Sequence, residues 1–92
     1  MNIEYTPKAL ADIESIRDHI AKDSPVYADR LVNRIITSVR ILNTFPLLGH
    51  KGRVPDTHEW IVSGEEYFIV YDIPNPTTIR VLRVMHMKRR YP

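Results

Sequence analysis

Residues 59–86 read "EWIVSGEEYFIVYDIPNPTTIRVLRVMH" and contain three apolar, β-branched runs separated by two short turns. The runs are residues 59–63, 67–73 and 77–86, and Gly, Glu, Pro and Asn occupy the turns between them. Runs of this composition and length predict strands, and connections this short predict that neighbouring strands pair antiparallel. The second half of the chain therefore predicts a three-stranded meander.

The first half of the chain predicts one strand followed by two helices. The opening residues "MNIEYT" alternate apolar and polar side chains, which favours a short strand. Thr6-Pro7 and Ser24-Pro25 each place a capping hydroxyl before a proline at the first helical position. Apolar residues then recur at helical spacing. They are Leu10, Ile13, Ile16 and Ile20 in the first helix and Tyr27, Leu31, Val32, Ile35, Ile36, Val39 and Leu42 in the second.

The connections indicate how these elements pack. The short link at Lys22-Asp23 predicts an antiparallel helical hairpin. Pro46 ends the second helix at Phe45, and residues 46–58 are a loop by composition. We therefore expect one α+β domain over residues 1–92, in the order strand-helix-helix-strand-strand-strand. The helical hairpin would pack on one face of a small mixed or antiparallel sheet.

The bulk composition is that of an ordinary globular domain. Of 92 residues, 43% are hydrophobic and 26% charged, and the formal net charge is only +2. So small an excess argues against a protein that coats nucleic acid by charge alone. The chain has no cysteine, which rules out disulfide and thiolate chemistry. No apolar run has the length of a membrane span, and we expect a cytoplasmic protein.

Arg83 indicates which side of the last strand faces the helices. An unpaired arginine is costly to bury, so we expect Arg83 on the sheet face away from the helices, here called the open face. Leu82 and Val84 would then face the helices. Alternation along the strands places the remaining apolar side chains of the open face. They are Ile79, Val81 and Met85, joined by Phe68 and Val70 from the middle strand. A face this apolar predicts a bound partner segment.

Four motifs resemble the RelE/ParE superfamily of toxins from bacterial type II toxin–antitoxin systems, over essentially the whole chain. "EYTPKALADIESI" resembles the opening strand and first helix, "FPLLGHKGR" the loop after the second helix, and "HEWIVSGEEYFIVYDI" the central hairpin. "LRVMHMKRRYP" resembles the closing pattern, whose slots are filled by Arg83, His86, Arg89, Tyr91 and Pro92. The resemblance implies the fold described above and a toxin neutralised by an antitoxin that wraps around it in a complex.

The resemblance implies two alternative targets. RelE-like members cut messenger RNA inside the ribosome, whereas ParE-like members inhibit DNA gyrase. RelE-like nucleases carry a catalytic arginine in the slot that Phe68 fills here, and no basic residue lies between Arg53 and Arg80. The ParE-like interpretation is therefore preferred. A third interpretation is a degenerate family member that acts only as a binding protein.

The same residues serve each interpretation. A ParE-like toxin would contact its target through Arg53, Arg83, His86, Arg89, Arg90 and Tyr91, and its antitoxin through Phe68, Val70, Val81 and Met85. In a nuclease, His86 would be base or acid, Arg83 or Arg90 would hold phosphate, and Tyr91 would stack on a base or donate a proton. No cofactor is implied, and His50 and His58 without cysteine or a close third ligand make a poor metal site.

Structural roles compete with these functional ones. Arg83 is as well explained by an ion pair with Asp72 or Glu59. A short run of cations such as residues 88–90 is most often a solvated tail. A histidine at the end of a strand, as His86 is, more often hydrogen-bonds to a neighbour than takes a functional role. Glu65-Glu66 is best explained as a solvated turn.

Overall fold

The computed structural model describes all of residues 1–92 as two helices packed on a five-stranded sheet. The elements are β1 Asn2–Tyr5, α1 Pro7–Ala21, α2 Pro25–Thr44, β2 His50–Lys51, β3 His58–Ile61, β4 Tyr67–Asn75 and β5 Thr78–His86. This confirms the predicted α+β order with one addition. The addition is β2, a two-residue strand in the segment predicted as loop.

The sheet is mixed, with strand order β1-β5-β4-β3-β2. β3, β4 and β5 form the predicted antiparallel meander. β2 extends it antiparallel to β3, and β1 runs parallel to β5 at the other edge. A parallel pair needs a long connection, and here the chain passes through both helices, β2, β3 and β4 before β5 lies beside β1.

Both predicted helix starts are confirmed by their capping contacts. Thr6 Oγ1 accepts a hydrogen bond from the Ala9 N–H at 3.1 Å, and Ser24 Oγ accepts one from the Tyr27 N–H at 3.3 Å. α2 ends where Pro46 predicts, since Phe45 is its first residue outside helical geometry. Neither helix combines the length and the hydropathy that crossing a membrane requires.

The main core lies between the helical hairpin and the sheet. Its buried members are Ala9, Leu31, Ile35, Val39, Leu42, Val62, Tyr67, Ile69, Tyr71, Ile79, Val81 and Val84. The predicted stripe of α1 was wrong at Leu10, which is 55% exposed. Its neighbour Ala9 is fully buried instead, because a small side chain lets the first turn of α1 approach the sheet closely.

A bulge in β5 changes which side chains face the helices. Val70 is opposite Arg83 but Tyr71 is opposite Val81, so Leu82 is an extra residue without a partner on β4. A bulge shifts the alternation of all residues on one side of it. The predicted orientations of Leu82, Val81 and Ile79 were therefore wrong: Val81 and Ile79 lie in the core beneath the helices, and Leu82 packs on the open face.

Candidate functional site

The open face carries a second, smaller apolar cluster, separate from the main core. Phe68, Val70 and Met85 form it, and Leu82 and Tyr91 pack against it. The predicted placement of Phe68, Val70 and Met85 on this face agrees with the structure. All three are nevertheless buried, at no more than 4% exposure, so something already covers them.

Leu82 and Tyr91 supply part of the cover, and Tyr91 belongs to the C-terminal tail, residues 87–92. Tyr91 places its ring edge-to-face against Phe68, with ring centroids 6.0 Å apart. Burial raises the pKa of the Tyr91 hydroxyl, with a further contribution from the Glu59 carboxylate. The tail therefore returns across the open face instead of extending into solvent, and Tyr91 is its apolar anchor.

Arg53 lies between the tail and the sheet. Its guanidinium is 4.9 Å from the centroid of the Phe68 ring and 5.9 Å from that of Tyr91. Its Nη1 also donates to the Tyr91 carbonyl oxygen at 3.4 Å. A cation against two aromatic rings is attracted by both. Arg53 thus links the loop before β3 to the tail, which places Arg53 and Tyr91 in one surface as predicted.

Glu59 holds Arg53 in this position. It lies opposite Val70 on the open face, and its carboxylate is buried, with only 2% of the side chain exposed. One oxygen accepts from the Arg53 backbone N–H at 3.0 Å and the other pairs with Arg53 Nη2 at 3.2 Å. His50 Nε2 lies 3.8 Å from the same carboxylate. The sequence gives no signal for this contact. Arg53 lies in the loop before β3, and no periodic pattern predicts which strand residue a loop side chain meets.

Arg83 pairs with Asp12 of α1. Its Nε and Nη2 donate to the two carboxylate oxygens at 2.8 and 2.9 Å, and these hydrogen bonds raise the pKa of Arg83. The guanidinium is partly exposed at the edge of the sheet and is not sealed beneath the helices. The predicted alternative partners were wrong, because Asp72 pairs with Arg80 and Glu59 pairs with Arg53.

The arginines anchored on the sheet are therefore already neutralised within the chain. Arg53, Arg80 and Arg83 each have a carboxylate partner. Lys88, Arg89 and Arg90 are exposed and belong to none of the chain's ion pairs within 4 Å. The uncompensated positive charge of this end of the molecule is in the tail.

His86 lies on the other side of the sheet. Its ring meets Tyr67, a member of the main core, edge-to-face at 5.0 Å, and its Nε2 is 3.4 Å from a Glu66 carboxylate oxygen. It borders a groove of about 690 Å³ between α1, the β3–β4 turn and the end of β5. Arg89 borders the same groove. The structure therefore separates His86 from Arg53 and Tyr91.

The turn between β3 and β4 is less exposed than its sequence predicted. The Glu65 side chain is only 3% exposed, because Tyr27 donates a hydrogen bond to one carboxylate oxygen and Arg34 pairs with the other. The prediction of a solvated turn was wrong for Glu65 and holds for Glu66, whose side chain is 67% exposed. Glu65 ties the turn to α2.

One predicted antitoxin contact lies on the wrong side of the sheet. Val81 is fully buried beneath the helices and has no surface to offer a partner. The exposed apolar side chain that sequence reasoning missed is Ile61, which lies opposite Phe68 on the open face and is 48% exposed. The exposed apolar surface of the open face thus lies beside the tail, not beneath it.

Comparison with known proteins identifies relatives along nearly the entire chain. A family model described as the ParE toxin of the type II toxin–antitoxin system parDE matches residues 3–91. Putative toxin Y4kP of Sinorhizobium fredii is 36% identical over 90 residues, which span 98% of this chain and 92% of that protein. Toxin RelE2 of Caulobacter vibrioides is 31% identical over 88 residues, 95% of this chain and 96% of that one.

Solved structures share the fold at lower sequence identity. A chain of the chromosomal ParDE TA system from P. aeruginosa superposes with a TM-score of 0.83 at 23% identity, covering 96% of this chain and 97% of that one. A chain of the intact E. coli RelBE toxin-antitoxin complex gives 0.68 at 14% identity, covering 96% and 98%. The helical hairpin on a mixed five-stranded sheet is therefore a shared architecture.

Proposed function

Because the chain belongs to the ParE toxin family of type II toxin–antitoxin systems, we propose that it inhibits growth by binding a host protein, and that this protein is DNA gyrase. The observation that carries the proposal is the separation of His86 from Arg53 and Tyr91 by the sheet, together with the pairing of the sheet's arginines. Binding a protein needs a surface, whereas cutting RNA needs an assembled catalytic site.

A ribonuclease site needs a base, an acid and a cation that is free to hold phosphate. Arg53 and Arg83 each donate to a carboxylate, which competes with phosphate for the same donors. Of the two arginines predicted to hold phosphate, Arg83 and Arg90, only Arg90 is unpaired, and it lies in the exposed tail. Phe68 fills the slot where RelE-like nucleases carry arginine, and Arg53 stacks on it. His86 is on the opposite side. These features favour target binding over RNA cleavage.

The target-binding surface in this proposal is the tail and the residues that support it. Arg89 and Arg90 supply charge that no carboxylate in the chain neutralises, and Tyr91 fixes the tail against Phe68. Arg53 lies between the sheet and Tyr91, and Arg83 lies at the edge of the sheet. The target chemistry that fits is an acidic protein surface with an apolar point of contact.

We propose that the cognate antitoxin neutralises the chain by binding across the open face. An antitoxin segment would contact Ile61, Leu82 and Tyr91, which are exposed or half-buried there, rather than the covered Phe68, Val70 and Met85. The solved structures of the P. aeruginosa ParDE system and the E. coli RelBE complex, which share this fold, support an antitoxin partner. Both proposed partners are cytoplasmic, and we place the activity there.

The test is to induce the chain alone in a bacterium and to assay purified chain in a gyrase supercoiling reaction. We expect a DNA-damage response with filamentation, early translation intact, and loss of supercoiling. Arg89→Ala/Arg90→Ala should weaken inhibition, whereas Arg30→Ala, an exposed arginine of α2, should not. Cleaved messages with rapid loss of translation would favour the ribonuclease, and no growth defect would favour a degenerate binding protein.

A further inference from the structure

His86 makes a hydrogen bond that starts the tail. Its Nδ1 accepts from the Lys88 backbone N–H at 3.0 Å, so this ring nitrogen carries no proton. The same turn is closed by the Arg89 N–H, which donates to the His86 carbonyl at 3.0 Å, and Met87 N–H donates to the Glu66 carbonyl at 2.8 Å. A side chain that accepts from a backbone N–H two residues on fixes a tight turn locally.

This turn sets the direction of the tail. β5 ends at His86, and within five residues the chain must cross from the edge of the sheet to the Phe68 ring, where Tyr91 packs. Lys88, Arg89 and Arg90 are exposed, so they contribute little packing of their own. The contacts that hold the tail are therefore at its two ends: the His86 turn at the start, and Tyr91 with Arg53 at the finish.

We infer that His86 is a positioning residue: its unprotonated Nδ1 fixes the turn that directs residues 87–92 across the open face, and so places the target-binding side chains. The inference deepens the proposed function and rests on it for the biological effect. His86 itself faces the groove beside α1, which Arg89 also borders, and lies on the other side of the sheet from Tyr91. It therefore acts through the backbone of the tail and not by touching the target.

His86 lies among charged and polar side chains from several elements. Titratable side chains from every neighbouring element line the groove around it: Asp12 and His19 of α1, Tyr27 of α2, Glu65 and Glu66 of the turn, Tyr67 of β4, and Arg89 of the tail. Glu66 is the group placed to pair with a protonated ring. The two ring nitrogens of His86 thus have different partners: Nδ1 accepts from the Lys88 N–H, and Nε2 lies toward Glu66.

Two substitutions separate the two ring nitrogens. Asn places its carbonyl oxygen near the position of Nδ1 and can still accept from the Lys88 N–H, as Asx turns do. Gln extends its amide toward the position of Nε2 and cannot form that turn. His86→Asn therefore keeps the proposed anchor and loses the Glu66 contact, whereas His86→Gln keeps a polar group near Glu66 and loses the anchor.

The experiment measures amide exchange at Lys88 and Arg89 in the purified full chain, with gyrase inhibition as a second readout. We expect exchange at Lys88 to be roughly five- to tenfold faster in His86→Gln, the loss of about one hydrogen bond. His86→Asn should stay near the parent.

Unchanged Lys88 exchange in His86→Gln would overturn the inference. So would equal loss of inhibition in both variants with exchange unaltered, since that pattern indicates direct contact between His86 and the target. The exchange measurement needs no target and decides the inference even if gyrase proves unaffected by the parent chain. Failure of the proposed function is thereby distinguished from failure of the positioning role.

Discussion

Arg83 and Asp12 are 71 residues apart in sequence and form a two-pronged ion pair at 2.8 and 2.9 Å. The same Asp12 carboxylate accepts a third hydrogen bond, from the Val84 backbone N–H at 2.9 Å. β1 pairs with β5 only as far as Val81, so beyond that point the edge of β5 has no neighbouring strand. One side chain of α1 thus closes a strand edge and holds the arginine beside it.

Replacement of Asp12 should destabilise the fold more than loss of an ordinary surface charge. In Asp12→Asn, Arg83 loses its charged partner and the Val84 N–H keeps at most a neutral acceptor. We expect the free energy of unfolding to fall by about 2 kcal/mol. Urea unfolding followed by circular dichroism would measure this. Asp18→Asn is the matched control, because Asp18 is exposed on the same helix; equal midpoints for the two variants would refute a structural role for Asp12.

The orientation of β5 shows where prediction from sequence succeeds and where it fails. Arg83, Val84 and Met85 follow the bulge, and alternation from Arg83 oriented Val84 and Met85 correctly. Val81 and Ile79 precede the bulge, and the same alternation placed them on the wrong face. A bulge adds one residue without altering the apolar pattern, so the pattern alone cannot locate it.

The partners of the arginines could not be predicted for a different reason. Helix stripes and cap residues are local signals, and they predicted both helix starts. Glu59 and Asp12 meet their arginines through tertiary packing, where sequence separation carries no information on distance. The separation of His86 from Arg53 by the sheet depends on the same packing. The residues of the candidate site could therefore be named from sequence, but not which of them share a surface.

Removing the Arg53 side chain should lower the free energy of unfolding more than neutralising Glu59. Arg53→Ala keeps the backbone N–H bond to the buried carboxylate but leaves His50 as the only nearby cationic side chain, whereas Glu59→Gln leaves an arginine whose side chain is 50% exposed. We expect about 3 kcal/mol for Arg53→Ala and about 1–2 kcal/mol for Glu59→Gln. Urea unfolding of both single variants and the double variant would test this. A double variant that costs the full sum of the two would show that the residues are not coupled.

Stability should fall at alkaline pH because the fold favours neutral tyrosines. The pKa is raised at all five of them, mainly by burial at Tyr5, Tyr67, Tyr71 and Tyr91, and mainly by the hydrogen bond to Glu65 at Tyr27. When the folded pKa exceeds the unfolded value of about 10, the unfolded chain loses its proton first. This stabilisation is complete below about pH 10 and declines as pH rises through the folded values.

Urea midpoints measured from pH 8 upward, with tyrosinate absorbance recorded in parallel, would test the alkaline prediction. Tyr71→Phe is the informative variant. It removes a hydroxyl that donates to the Pro46 carbonyl at 2.7 Å and accepts from the Gly49 N–H at 3.0 Å, so it should be about 1–2 kcal/mol less stable at neutral pH. Its further loss above pH 10 should be smaller than the parent's. A parent midpoint that stays constant into the alkaline range would contradict the argument.

Thr6 should contribute more to stability than Ser24, although both cap a helix before a proline. The Ser24 side chain makes only its capping hydrogen bond. Thr6 Oγ1 accepts from the Ala9 N–H and also donates to the Leu82 carbonyl at 2.9 Å, which ties the start of α1 to the bulge in β5. We expect about 1 kcal/mol for Ser24→Ala and about 2 kcal/mol for Thr6→Ala, since the second variant also leaves a carbonyl without its donor. Thr6→Ser keeps both contacts and should stay near the parent in urea unfolding. Equal costs for the two alanine variants would mean that the Leu82 contact adds nothing beyond the cap.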